Sequence, residues 1–181
     1  MVLRRSRATR AFSLIELMIV VTIIGVLASI AIPALMQSVR RSKTSEATMN
    51  LRRMFDGAVT SYQSDGVNRQ GTSELPSFPQ TVGPSPAADN CCAQVGLKCL
   101  PDPSVFRPTS WHKLQFALDD PHYFWYTFES EGDGTFANFT ARAEGNLDCD
   151  LVFSTFERIG YVDLFGSVTG GGGVFKRHPT E

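Results

Sequence analysis

Net charge is nearly absent from this chain of 181 residues: 17 lysines and arginines stand against 18 aspartates and glutamates, for a formal charge of −1. Charge alone therefore gives no basis for nucleic-acid binding. Missing too is any spacing that assembles a catalytic constellation. His112, His122 and His178 have no partner close in sequence, and the glycine run Gly170–Gly173 is not followed by the Lys-Ser/Thr of a phosphate-binding loop. Disorder is excluded, since 43% of the residues are apolar and only 19% charged.

The near-neutral total hides a segregated layout. Met1–Ala11 holds four arginines (Arg4, Arg5, Arg7, Arg10) and no acid, while Phe12–Val39 holds one ionisable group, Glu16. Without the first eleven residues, 13 bases face 18 acids, so the remainder is acidic. A basic head, an apolar stretch and an acidic globular part argue against a freely soluble cytosolic protein.

Leu17–Val39 is uncharged for 23 residues. As a helix it would extend about 35 Å at ~1.5 Å per residue, enough for a hydrocarbon core of ~30 Å. Four cations precede it and three follow closely (Arg40, Arg41, Lys43), which orients it only weakly. A secretory signal peptide cut near Ala28–Ala31 and a plain membrane anchor both account for the apolarity, and neither accounts for Glu16. A carboxylate at the edge of the bilayer requires a compensating partner. A cut before Phe12 would create an α-amino cation, and in a stack of parallel helices one copy's amine would meet its neighbour's Glu16.

Arg10-Ala-Phe-Ser-Leu-Ile-Glu-Leu17 followed by MIVVTIIGVLASIAIPAL resembles the processing and assembly segment of type IV pilins and pseudopilins. The resemblance implies cleavage by prepilin peptidase between Ala11 and Phe12, N-methylation of Phe12, and a subunit-registration role for Glu16. It places Gly25 and Pro33 at the family's helix-loosening positions, consistent with their poor helix propensity. Ala11 stands where the family usually has glycine.

Beyond Pro33, Ala47, Leu51, Met54, Phe55, Ala58 and Tyr62 form one apolar stripe at helical spacing, with Gly66 and Gly71 expected to end the helix near residues 63–66. Gly71–Pro108 is rich in proline and reads as an irregular connection. Strands are predicted at Tyr123–Phe128, Thr135–Ala143, Leu151–Arg158 and Tyr161–Phe165, with a hairpin turn at Glu131–Gly134. Alternation assigns about half of the aromatics in Tyr123–Phe128 to the core. The expected fold is α+β: a long N-terminal helix, transmembrane in its first half, packed against a small antiparallel sheet. Its parts are a leader (1–11), an apolar assembly helix (12–39), an amphipathic half-helix (40–66) and a globular head (67–181).

Cys91, Cys92, Cys99 and Cys149 allow three pairings, and a domain exported to an oxidising compartment favours disulfides over zinc. The strain of bonding neighbours points to Cys99 with Cys91 or Cys92, and the other to Cys149. Asn146, Asp148, Asp150 and Glu157 are spaced somewhat as in a calcium loop, although Leu151 takes the place where the sharp turn wants glycine. No cofactor is otherwise expected.

The expected function is that of a non-enzymatic structural subunit of a bacterial type IV pilus, serving adhesion and twitching motility. It would start in the inner membrane and end in an extracellular filament. Its partners would be copies of itself and other pilins, prepilin peptidase and an inner-membrane assembly platform, with no nucleic acid. The alternative is a type II secretion pseudopilin. The Tyr-Pro loop often seen in major pseudopilins is absent, which favours the pilus.

Overall fold

The computed structural model describes residues 12–64, 75–88 and 91–180. The chain divides into two compact units, Met1–Val39 and Arg40–Glu181. Helix α1 (Leu14–Ser64) contributes to both, and the positions expected to end it, Gly66 and Gly71, lie outside the described residues.

Within the second unit, α1 buries Ala47, Leu51, Met54, Ala58 and Tyr62, with Phe55 half-buried beside them. Arg52, Arg53 and Asp56 face water. The apolar spacing of 3.6 produces this stripe, and burial of the stripe, more than helix propensity, holds the helix there. Gly57 lies on the same face because of a close approach. A Cβ at this position would run into the carbonyl of Leu114, just after the short helix α2 (Thr109–Lys113).

The stripe packs on an antiparallel sheet in the order β1 (Val82–Ser85), β2 (Phe124–Glu131), β3 (Asn138–Gly145), β4 (Ser154–Val162), β5 (Val168–Gly170). Strand β6 (Phe175–Arg177) also pairs with β4, beside residues 155–157, while β5 pairs beside residues 160–162. Phe139, Ala141, Ala143 and Gly145 of β3 point inward with the strict alternation of a half-buried strand.

The sheet departs from its sequence-based outline in four places. The two strands predicted at 151–158 and 161–165 are one strand, β4, which runs through Gly160. That glycine is paired with Phe139, whose ring occupies the space a side chain would need. The same ring stacks on Phe128 at 5.2 Å and meets Phe78 edge-on at 4.7 Å. The predicted start of β3 is instead a short 3₁₀ turn, Gly134–Phe136. The proline-rich connection contains β1 and a second 3₁₀ turn at Pro103–Phe106, and the glycine run Gly170–Gly173 is flanked by β5, which ends on Gly170, and β6.

The fourth departure concerns the aromatics of β2, all four of which are buried. Phe124, Tyr126 and Phe128 join the core under α1. Trp125 points the opposite way, yet it is only 4% exposed because Cys91 and Cys99 cover it, with Phe153 edge-on at 5.6 Å. The cover is covalent. Cys91 is bonded to Cys99 and Cys92 to Cys149, with Cα–Cα separations of 4.2 and 5.7 Å.

Gly57→Ala is expected to destabilise the full-length protein in detergent by about 1–3 kcal/mol, because backbone must move to admit the methyl; urea unfolding measures it. The two disulfides close loops of different length, over sequence separations of 8 and 57. Chain entropy then gives roughly 2.5 kcal/mol for the first and roughly 4 kcal/mol for the second. Cys92→Ser with Cys149→Ser should lower the urea midpoint more than Cys91→Ser with Cys99→Ser.

Candidate assembly surface

Every large apolar side chain from Leu14 to Val39 is exposed, including Ile19, Ile23, Leu27, Ile30 and Leu35. The best 18-residue window has a mean hydropathy of 2.6, and α1 is, among the described residues, the one helix long and apolar enough to cross a membrane. None of the described residues of this unit is buried, so its apolar surface needs lipid or protein around it. Pro33 lies within the helix and lacks the N–H that would bond the carbonyl of Ser29. At Gly25 a Cβ would meet nothing within 4 Å, so the glycine leaves a notch on an open face.

Glu16 sits in the first turn of α1. The backbone N–H and the hydroxyl of Ser13 both donate to its Oε2, at 2.9 and 2.8 Å, and the Glu16 N–H donates to Ser13 Oγ at 3.3 Å. The pair is a capping box, which satisfies helix-end donors reciprocally. Its signal, Ser-x-x-Glu ahead of an apolar run, is local and present at Ser13–Glu16, although periodicity alone does not reveal it. Oε1 accepts no hydrogen bond among the described residues, so one oxygen remains open to a cation from elsewhere. Ala11 lies outside the described residues, and Phe12 is exposed.

A second polar group, also missed, fastens the head to its own part of the helix. Glu46 accepts the backbone N–H of Tyr123 at 3.1 Å and the hydroxyl of Tyr126 at 3.2 Å. Asn50, one turn on, donates to the same hydroxyl at 2.8 Å. Lys43 and Lys98 lie over the Tyr123 ring at 4.6 and 5.0 Å. Burial pushes the Glu46 carboxyl above its usual value, although the Tyr123 and Tyr126 hydrogen bonds and Lys98 pull the other way. Burial, then the nearby Glu46 charge, pushes the Tyr126 hydroxyl well above its own. The available signal was the i, i+4 spacing of Glu46 and Asn50 alongside buried Ala47 and Leu51.

The four residues with calcium-loop spacing are engaged separately. Asn146 bonds the backbone of Asp150 in both directions, at 2.8 and 3.2 Å. Asp148 pairs with Arg40 at 2.9 Å, Asp150 accepts the Val152 N–H at 2.6 Å, and Glu157 pairs with Arg142 at 2.7 Å. Among the described residues, no three His, Cys, Asp or Glu side chains converge to hold a metal.

An exposed apolar helix headed by one half-satisfied carboxylate, with a disulfide-stapled α+β head, is the arrangement against which known proteins can be compared. The chain is 30% identical to the type IV major pilin protein PilA of Myxococcus xanthus (strain DK1622), over 84% of its own length and 80% of the relative's. The chain belongs to the type IV pilin family. Residues 6–32 of this pilin match the model of the prokaryotic N-terminal methylation motif. Shorter stretches resemble the fimbrial protein EcpC of Eikenella corrodens (55% identity, 31% of this chain and 36% of the relative) and the fimbrial protein of Moraxella nonliquefaciens (44%, 34% and 37%). No solved structure matches significantly. The pilin is a structural subunit of a type IV pilus, and its pilin and fimbrial relatives do not favour the pseudopilin alternative. Its motif and apolar helix fit a membrane-anchored precursor that passes into a filament.

Because burial raises the Glu46 pKa in the folded state, its contribution to stability is fully present at acid pH and is lost as pH rises through the folded value. Glu46→Gln keeps an acceptor for Tyr123 and removes the titration. The pilin should lose urea resistance as pH rises above the ordinary carboxylate range, and Glu46→Gln should flatten that loss.

Proposed function

We propose that this pilin is cut between Ala11 and Phe12 by prepilin peptidase, methylated on the new Phe12 amine, and moved by an inner-membrane assembly platform into a helical extracellular filament with copies of itself and other pilins. The filament serves adhesion and twitching motility, and the role calls on no catalysis, no cofactor and no nucleic acid.

The observation that carries this reading is the contrast between the lone carboxylate of Glu16, whose Oε1 accepts no hydrogen bond among the described residues, and the uniformly apolar surface that follows it. A lone carboxylate drawn among packed apolar helices is costly unless a cation reaches it. The Phe12 amine of a neighbouring copy is that cation, and it can arrive only in one axial register. Burial of residues 12–39 supplies the attraction between copies, and the Glu16–amine pair selects how they align. Gly25 and Pro33 weaken the helix between these ends, which lets it follow the packing of its neighbours.

Filaments sheared from cells should yield an abundant N-terminal peptide beginning at N-methyl-Phe12 by mass spectrometry. Glu16→Ala should still be cut and methylated, yet give at least tenfold less sheared filament. Uncut chain in the filament, or undiminished yield from Glu16→Ala, overturns the reading.

A further inference from the structure

Two surfaces of the head match each other and cannot meet within one copy. The first is at the end of the sheet level with Tyr62, whose hydroxyl donates to the Gly134 carbonyl at 2.9 Å. There the β2–β3 connection and the β4–β5 turn emerge side by side, held by the Val162 N–H donating to the Ala137 carbonyl at 3.0 Å. Phe136 is 85% exposed, and Leu164 and Phe165 are 92% and 93% exposed. The turn that presents the last two is not slack, since Asp163 Oδ1 accepts the N–H groups of Phe165 and Ser167 at 2.9 and 2.8 Å. Glu131 and Asp133 flank this apolar tip, exposed and without an ion pair among the described residues. Three large apolar side chains braced outward at one end are a patch that needs a cover.

The second surface is a groove of about 470 Å³ between α1 and β6. Met49 is 60% exposed within it, and Arg41, Arg52 and Lys176 surround it with hydroxyls from Thr44, Ser45 and Thr48. These three cations also lack an ion-pair partner among the described residues, although Arg40 and Arg142 elsewhere in the head are paired. An apolar centre with a basic rim answers an apolar tip with an acidic one, in both charge and polarity. The groove centres near residue 47 of α1 and the tip is level with residue 62, about 23 Å further along the helix at ~1.5 Å per residue.

We infer that the Phe136–Leu164–Phe165 tip of one copy docks into the Arg41–Arg52–Lys176 groove of a second copy displaced along the same axis. This rests on the reading of the chain as a filament subunit, and it names where the heads touch. The contact is heterologous: each copy offers a tip to one neighbour and a groove to another, so it does not close and propagates as a fibre. It acts between parallel copies, the same orientation that pairing of Glu16 with a neighbour's amine requires.

Disulfide capture tests it in the full chain expressed in piliated cells. Phe165→Cys together with Met49→Cys should produce, in sheared filaments under mild oxidation, a ladder of linked subunits on non-reducing gels. Either substitution alone should leave monomer. Filaments that assemble without a ladder overturn the contact and leave the filament role intact, whereas absence of filaments from the unsubstituted chain overturns both. If the double-cysteine chain does not assemble, charge exchange decides. Glu131→Lys with Asp133→Lys should lower filament yield at least fivefold, and adding Arg41→Glu with Arg52→Glu should restore most of it. Undiminished yield from the first pair, or no recovery with the second, overturns the proposal.

Discussion

The exposed apolar surface of residues 14–39 is the constraint on which the rest of this molecule depends. Water penalises each such side chain, and none of them is buried among the described residues. The surface is nearly featureless, so it attracts lipid and like helices alike and specifies no alignment. A single ionisable group, Glu16, breaks that uniformity. Apolar area supplies strength and one carboxylate supplies choice, a division familiar from buried polar residues that set the register of coiled coils. The Ser13 cap refines the arrangement by engaging one carboxylate oxygen, while the other accepts no hydrogen bond among the described residues.

The head is tied down by different means. Its half of α1 packs on a sheet through an ordinary core, and Glu46 and Asn50 add a polar fastening to Tyr123 and Tyr126 across 76 to 80 residues of sequence. On the far side of the sheet, two disulfides hold a loop against Trp125. The fold thus covers one face of β2 with a helix and the other with a cross-linked loop.

Legibility in the sequence followed periodicity. The stripe from Ala47 to Tyr62 and the inward residues of β3 could be read because each repeats at the spacing of its own element. The gap left between the strands predicted at 151–158 and 161–165 falls at Gly160, whose reason, the ring of Phe139 paired across from it, lies on another strand. Strands β1, β5 and β6, of three or four residues, exist by pairing to longer neighbours and carry little pattern of their own. Trp125 defied alternation because a distant loop buries it. The spacing at 146–157 is local, whereas the partners that engage Asp148 and Glu157, Arg40 and Arg142, come from outside that segment. Of the assembly site, Phe12, Glu16 and the apolar run were visible at once, since an assembly surface that faces outward is coded locally. Glu46 was not, because its partners come from another part of the chain.

The margins of the sheet have a further consequence. Strand β1, at one edge, has four residues and an irregular register, and the outer side of β4 is covered in turn by β5 and β6. Among the described residues the head therefore offers no long row of unpaired amides to a neighbour. Crowded at polymer density, such heads have little opportunity to fuse their sheets by strand addition, the route to irreversible amyloid. A fibre joined through side chains and helix surfaces, with each sheet kept private to its own subunit, is one that can be taken apart again and its protein reused.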